Sequence, residues 1–193
     1  MESSERSTEF AKLRYNWGCF VIVPDPDMPR FALMVEETKG VSKGKMGFPG
    51  GGKDIEDVSI IATGIRETLE ETGLDVVEVS GVGVYRTKKG PRALIVATHV
   101  LGSLITTPEH PVSDYMCLSE IEFMAGKDQG RIRRPDMVLD GMRRWQSGQV
   151  FNPAVIEDIY TASLSNDYDI WTGLDPSLPS VEVSSLALAG VNI

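Results

Sequence analysis

The chain has 193 residues, of which 41% are apolar and 24% are charged, and its formal net charge is −9. This composition fits one globular domain and excludes a fibrous or largely disordered chain. No apolar run approaches the roughly 18 residues that span a bilayer, and the first nine residues are polar, so we expect a cytoplasmic protein without a membrane segment. The negative charge disfavours nucleic acid as a partner, and two cysteines are too few for a disulfide scaffold.

The first half of the chain is predicted to contain two strands followed by a helix. Residues 15–23 are rich in aromatic and β-branched side chains, and residues 30–38 are predicted to be their hairpin partner, followed by a loop over 38–45. The helix is predicted to begin after Ser59, a candidate N-cap, and to end at Gly73. Because Ile61, Ile65 and Leu69 fall on one side of this helix, we expect that side to face the core.

The second half is predicted to contain three strands and two helices. Strands are expected over 76–88 and 92–101, separated by a hairpin-like break, and a shorter strand over 115–118. Apolar spacing favours helices over 136–146 and 152–163. We assign residues 1–171 to one domain and 172–193 to a tail, and the element order predicts a three-layer α/β (α+β) sandwich.

Three carboxylates share another side of the first helix. Glu67, Glu70 and Glu71 repel one another and lie toward the helix C-terminus, where the helix dipole disfavours negative charge. A bound cation would offset both costs, and an all-oxygen ligand set favours Mg²⁺ or Mn²⁺. The alternative is a solvated acidic face in which Arg66 pairs with Glu70 one turn later.

A glycine triplet precedes this helix. Gly50, Gly51 and Gly52 carry no side chains, so their backbone can approach a ligand closely and offer a carbonyl oxygen to a metal. A triplet alone is typical of a turn. Its fixed spacing from the acidic helix makes it a candidate part of the same site.

The sequence FPGGGK followed by IRETLEETGL resembles the Nudix box of MutT-like hydrolases. That signature is a glycine, five residues, a glutamate, seven residues, Arg-Glu, an aliphatic residue, any residue, Glu-Glu, any residue, a glycine and an aliphatic residue. Matches in register are Gly52, Arg66, Glu67, Glu70, Glu71, Gly73 and Leu74.

This resemblance implies a Nudix-type α/β/α sandwich with a mixed sheet. It also implies a metal-dependent pyrophosphohydrolase that cleaves the phosphoanhydride bond of a nucleoside diphosphate linked to another group. By the same resemblance, Glu67, Glu70, Glu71 and the Gly51 carbonyl are the Mg²⁺ or Mn²⁺ ligands, and Arg66, Glu67 and Glu70 are catalytic. Two alternatives are an RNA-end or polyphosphate (including inositol pyrophosphate) hydrolase and a non-catalytic nucleotide-binding module.

Two positions depart from the signature. Val58 stands where the first glutamate is expected, and Thr68 takes the aliphatic position after Arg-Glu. The family's first glutamate usually pairs with the box arginine, so we expect Glu56 or Asp57 to pair with Arg66 instead. Val58 is also the one direct hint of a module that binds without turnover.

Other residues are candidates for substrate contact or catalysis outside the box. Lys45, Arg92 and Trp17 are the candidates for substrate binding. The candidates for a catalytic base or a further metal ligand are Glu109, Glu120 and Glu122.

Three basic clusters bear on the choice of substrate. They are Lys39, Lys43 and Lys45, then Lys88, Lys89 and Arg92, then Arg131, Arg133 and Arg134. If they converge on one pocket, they favour RNA ends or polyphosphates. The sequence leaves the substrate and the oligomeric state open.

Overall fold

A computed structural model describes residues 16–87, 89–106, 111–127 and 130–164. The strands in these ranges are β1 (Gly18–Ile22), β2 (Phe31–Glu36), β3 (Met46–Gly47), β4 (Gly50–Gly52), β5 (Leu74–Thr87), β6 (Gly90–Gly102) and β7 (Val112–Cys117). The α-helices are α1 (Ile60–Thr72), α2 (Leu118–Lys127), α3 (Pro135–Gln146) and α4 (Ala154–Leu164). No helix of this described part is long and apolar enough to cross a membrane.

The central sheet is mixed and has the order β4-β1-β6-β5, with β1 parallel to β6 and its other pairs antiparallel. Side chains of β1 alternate between the two faces, as a strand requires. Phe20 and Ile22 pack with α3, whereas Cys19 and Val21 pack with α1 and α4. Helices therefore cover both faces, and the predicted three-layer sandwich with a mixed sheet is confirmed.

A second, three-stranded sheet has the order β3-β2-β7. The predicted hairpin between the first two strands is therefore wrong for most of their length, because β1 and β2 belong to different sheets. They meet at the bridge between Pro24 and Ala32, beside which Leu33 N–H donates to the Val23 carbonyl. The proline-containing segment carries the chain from one sheet to the other.

Both predicted ends of α1 are confirmed. The Ser59 side chain accepts a hydrogen bond of 3.0 Å from Ala62 N–H, so it caps the first turn. At the other end Gly73 has φ 76, a left-handed conformation that a side chain would disfavour, and its N–H donates to the Leu69 carbonyl.

The predicted core side of α1 is wrong in part. Leu69 is 47% exposed, and Ile61 and Ile65 are only partly buried. The fully buried residues are mostly small: Ile60, Thr63, Gly64, Thr68 and Thr72. The side of α1 that faces the sheet has small side chains because α1 lies close against β1. A Cβ added to Gly64 would lie 2.7 Å from the Cys19 sulfur.

The remaining predictions differ from the structure mainly at element ends. The two late helices are confirmed as α3 and α4, and the predicted strand over 115–118 is a longer β7 that stops at Cys117. Leu118 instead begins α2, a helix the pattern did not predict, and β3 and β4 are too short to leave a periodic signal. The assigned tail over 172–193 lies outside the described residues.

Candidate active site

Two carboxylates of α1 face the glycine strand β4. A Cβ added to Gly51 would lie 2.5 Å from both carboxylate oxygens of Glu67, so only glycine leaves room for that side chain. Gly50 N–H donates a 2.9 Å hydrogen bond to Glu71 Oε2. Glu70 lies further round the helix, with 55% of its side chain exposed. The glycine triplet and the helix carboxylates therefore form one site.

Burial leaves this pair of carboxylates poorly compensated. It raises the pKa of Glu71 to about 7, against the opposing effect of the Gly50 hydrogen bond and with a further upward contribution from Glu67. Burial also raises the pKa of Glu67, although neighbouring Arg66 opposes that change. A cation bound between them would lower both pKa values, because it would favour the charged forms.

Arg66 connects the acidic residues of the site. Its Nε lies 2.9 Å from Asp57 Oδ1 and its Nη2 lies 3.1 Å from Asp57 Oδ2, which makes a bidentate pair. Its Nη2 also lies 3.0 Å from Glu67 Oε1, and its Nη1 lies 3.1 Å from Glu70 Oε2. The guanidinium therefore orients two predicted metal ligands and is itself held by Asp57.

Asp57 takes the place of the glutamate missing at position 58. Its side chain is only 5% exposed and also accepts hydrogen bonds from Thr63 Oγ1 and from Asp54 N–H. Val58 is 93% exposed, and Glu56 is exposed as well. The prediction that Glu56 or Asp57 pairs with Arg66 is thus confirmed for Asp57, and the helical pairing of Arg66 with Glu70 coexists with it.

The chemistry of this donor set suits a hard divalent cation, because every side-chain donor is a carboxylate oxygen. Within the described ranges, however, no three acidic, histidine or cysteine side chains converge closely enough to hold a metal. Arg66 draws Glu67 and Glu70 to one side, while Gly50 N–H holds Glu71. Glu67 and Glu71 both lie against β4 and offer carboxylate oxygens there, whereas Glu67 and Glu70 would each have to exchange a contact with Arg66 for a cation.

The Gly51 carbonyl is less well placed than the sequence suggested. Its oxygen lies near Gly18 on β1, where an added Cβ would approach it to 2.5 Å. What Gly51 provides in this conformation is the space occupied by the Glu67 carboxylate. Its role as a carbonyl ligand stays a prediction.

Comparison with known proteins gives a family for this chain. The sequence profile of the NUDIX domain matches residues 12–135, a span that contains β1, the glycine triplet and all of α1. The chain is a member of the Nudix hydrolase family. It is therefore a hydrolase of pyrophosphate-containing substrates.

Solved structures share the Nudix fold at low sequence identity. A Nudix hydrolase from Nitrosomonas europaea is 20% identical with a TM-score of 0.51, and the match covers 72% of this chain and 94% of that one. An ADP compounds hydrolase is 17% identical with a TM-score of 0.55, covering 69% and 74%. Identity this low shows the fold alone. No curated protein matches the chain.

Two of the predicted substrate-binding residues have structural roles in this Nudix domain. Trp17 is 1% exposed, donates from Nε1 to Ser163 Oγ at 3.0 Å and meets the Tyr160 ring edge-on, so it is a core residue. Arg92 is 4% exposed, and its guanidinium donates to three main-chain carbonyls, of Asn16, Lys89 and Pro91. The Trp17 indole and the Arg92 guanidinium are therefore both engaged in contacts within the protein rather than exposed to a ligand. Lys45 is partly exposed between β2 and β3, and its role stays a prediction.

The glutamates considered outside the Nudix box have other partners or are not described. Glu120 accepts a hydrogen bond from Cys117 N–H at the start of its own helix. Glu122 pairs with Arg143 on α3 at 2.5 Å. Both are therefore committed to the α2–α3 region, and Glu109 lies outside the described residues.

The sequence did not reveal two sets of residues around the site. Glu157 on α4 accepts hydrogen bonds from Ile60 N–H and Ile61 N–H at 3.3 and 2.8 Å, so it caps the N-terminus of α1. Glu37 pairs with Arg133 at 2.9 Å, and both exert charge effects on Glu71. The arginine cluster was visible in the sequence, but neither glutamate carries a spacing signal that links it to the box.

Proposed function

We propose that this Nudix hydrolase is a metal-dependent pyrophosphohydrolase that cleaves the phosphoanhydride bond of a nucleoside diphosphate linked to another group. The observation that carries the proposal is the pair Glu67 and Glu71, which are half-buried against the glycines of β4 and have raised pKa values. Solvent screens such a pair poorly. A divalent cation that arrives with a diphosphate is the chemical partner that offsets its charge.

Each residue of the site has a part in that reaction. A bound Mg²⁺ or Mn²⁺ would neutralise diphosphate oxygens and lower the pKa of the attacking water. Glu67 and Glu71 would hold it, and Arg66 would keep Glu67 and Glu70 in register with β4. A water molecule loses a proton to solvent and its oxygen forms a bond to one phosphorus, the bond from that phosphorus to the bridging oxygen breaks, and the second phosphate leaves with the bridging oxygen.

The test is product release from a panel of substrates with and without Mg²⁺. The panel contains one member of each candidate substrate class: a nucleotide sugar, a dinucleotide, a nucleoside triphosphate and a capped RNA. It also contains ADP compounds, because one structure of similar fold is named for them. We expect Mg²⁺-dependent release of nucleoside monophosphate or phosphate, and a loss of at least about 100-fold in Glu71→Gln. Glu78→Gln, an exposed carboxylate on β5, is the matched control and should retain activity. A protein that binds nucleotide tightly yet hydrolyses nothing in the panel would contradict the proposal.

A second candidate is a hydrolase of RNA ends or polyphosphates. It is supported by residues from two of the three basic clusters, because Arg92 acts electrostatically on Arg134 and lies near Arg133 as well. The binding-only alternative loses its one sequence argument, since Asp57 supplies the carboxylate that Val58 lacks. The same panel separates these alternatives.

A further inference from the structure

Three arginines meet on the sheet face opposite α1. Arg92 comes from β6, and Arg133 and Arg134 come from the segment that leads into α3. The guanidinium carbons of Arg133 and Arg134 lie 5.4 and 4.6 Å from the centre of the Phe20 ring. Arg92 runs past Gly18, two residues before Phe20, where a Cβ would lie 3.1 Å from its Cδ.

These charges are unequally compensated. Glu37 pairs with Arg133, and Arg92 is bound to main-chain carbonyls. Arg134 forms no ion pair and no side-chain hydrogen bond with any described residue, and its contact is the face of Phe20. Burial, followed by repulsion from Arg133 and Arg92, lowers the pKa of Arg134 to about 9, although the charge of Glu37 opposes this change. An anion beside Arg134 would relieve this repulsion.

The backbone at Arg134 is also unfavourable. With φ 52 and ψ 60, it is the one non-glycine residue in the described chain with a positive φ. It occupies the N-cap of α3 without a side-chain capping bond and precedes Pro135, which disfavours helical conformations in its neighbour. Strain of this kind is concentrated at ligand-binding positions. Two local preferences are thus overridden at an arginine that forms no ion pair with any described residue.

The arginines adjoin the carboxylate site through the glycine strand. Gly50, whose N–H binds Glu71, lies against Phe20, since an added Cβ would be 2.9 Å from the Phe20 Cδ1. Phe20 in turn carries Arg134 on its ring. Anionic and cationic groups therefore flank the same short segment, an arrangement that suits a substrate with more than one phosphate.

We propose that Arg134, supported by Arg133, is a specificity-determining residue that binds a terminal phosphate of the substrate while the scissile diphosphate lies at Glu67 and Glu71. This inference rests on the proposed function. It favours phosphoanhydrides that carry a terminal phosphate, such as nucleoside triphosphates. It disfavours nucleotide sugars whose second group is neutral. A planar guanidinium binds two phosphate oxygens at once, which a lysine does not reproduce.

Kinetics test the specificity. With Mg²⁺ present, Arg134→Ala should lower kcat/KM for a nucleoside triphosphate by roughly 10- to 100-fold, mainly through KM, and for ADP-ribose by less than about 3-fold. Arg134→Lys should recover only part of the loss. Arg134→Gly removes the same charge while accepting the positive φ, so it should show the same loss of preference without lower thermal stability. Arg143→Ala, which removes one exposed positive charge from α3, is the matched control.

A binding measurement separates this inference from the proposed function. Inorganic triphosphate titrated into the metal-free protein should bind wild type and Arg143→Ala alike, and Arg134→Ala at least about 10-fold more weakly. If nothing is hydrolysed but this difference holds, the proposed function fails and the anion site stands. If hydrolysis occurs and Arg134→Ala affects both nucleotides equally, or neither, the inference is overturned and the hydrolase stands.

Discussion

Replacing Asp57 by Asn tests how this chain compensates for Val58. The substitution keeps the size of the side chain but turns one of the two oxygens that bind Arg66 into an NH₂ group, which opposes the guanidinium. One of two charge-assisted hydrogen bonds is lost and the other is weakened, at about 1.5–3 kcal/mol for each such bond. Because Arg66 keeps Glu67 and Glu70 as partners, we expect a net loss of about 2–3 kcal/mol, near the value of one bond.

Thermal unfolding and kinetics measure this effect. For a domain of this size the loss corresponds to a melting temperature lower by about 5–10 °C. The value of kcat should fall by roughly 10- to 100-fold, since Arg66 would no longer hold Glu67 and Glu70 in place. Glu56→Gln is the control, because it alters the exposed carboxylate that directly precedes Asp57. It should change the melting temperature by less than about 2 °C. Equal effects of the two substitutions would refute the role assigned to Asp57.

The pH dependence of stability gives an independent measure. Hydrogen bonds from Arg66 lower the pKa of Asp57 from its ordinary value of 3.8 to about 2 in the folded protein. A depressed folded-state pKa stabilises the fold above the unfolded value, and that contribution is lost as the pH falls from about 4 to about 2. In urea unfolding, the free energy of unfolding of wild type should therefore fall as the pH is lowered from about 4 to about 2. The Asp57→Asn variant should lack this contribution at every pH.

Further measurements test the rest of the site. Saturating Mg²⁺ should raise the melting temperature of wild type by several degrees through mass action, and Glu71→Gln should lose most of that shift. Gly51→Ala should cost at least about 10-fold in kcat, because its Cβ would displace a carboxylate 2.5 Å away, whereas Gly52→Ala, with open space around the added methyl, should cost far less. Glu157→Gln should lower the melting temperature by about 2–5 °C through the weakened cap on α1. Asp158→Asn, an exposed neighbour, is the comparison, and an equal change in it would argue against capping.

Local sequence signals predicted the acidic helix well. Ser59 and Gly73 set its ends through hydrogen bonds made within a few residues, so composition at those positions was enough. The spacing of the glycine triplet from Glu67 and Glu71 likewise predicted that they share one site, and Gly50 and Gly51 do contact these two side chains. Features that depend on neighbouring residues in the chain were therefore predictable.

Features set by distant packing were not. The core side of α1 was misjudged because Leu69 is the more apolar residue, yet Thr68 is the one buried, with its hydroxyl bonded to the Gly64 carbonyl. Hydrophobic periodicity does not register how closely α1 approaches β1. For the same reason Trp17, a candidate for substrate binding in the sequence, instead packs against α4.

The position of α4 has a consequence for how the site forms during synthesis. The NUDIX match ends at residue 135, but the carboxylate that caps α1 is Glu157, 97 and 96 residues after the amides it binds. Helix α1 therefore leaves the ribosome long before Glu157, and until the last described helix docks, Ser59 alone caps its first turn. Hydrogen exchange at Ile60 and Ile61 would follow that docking directly, since opening α4 exposes both amides while the rest of α1 keeps its own hydrogen bonds.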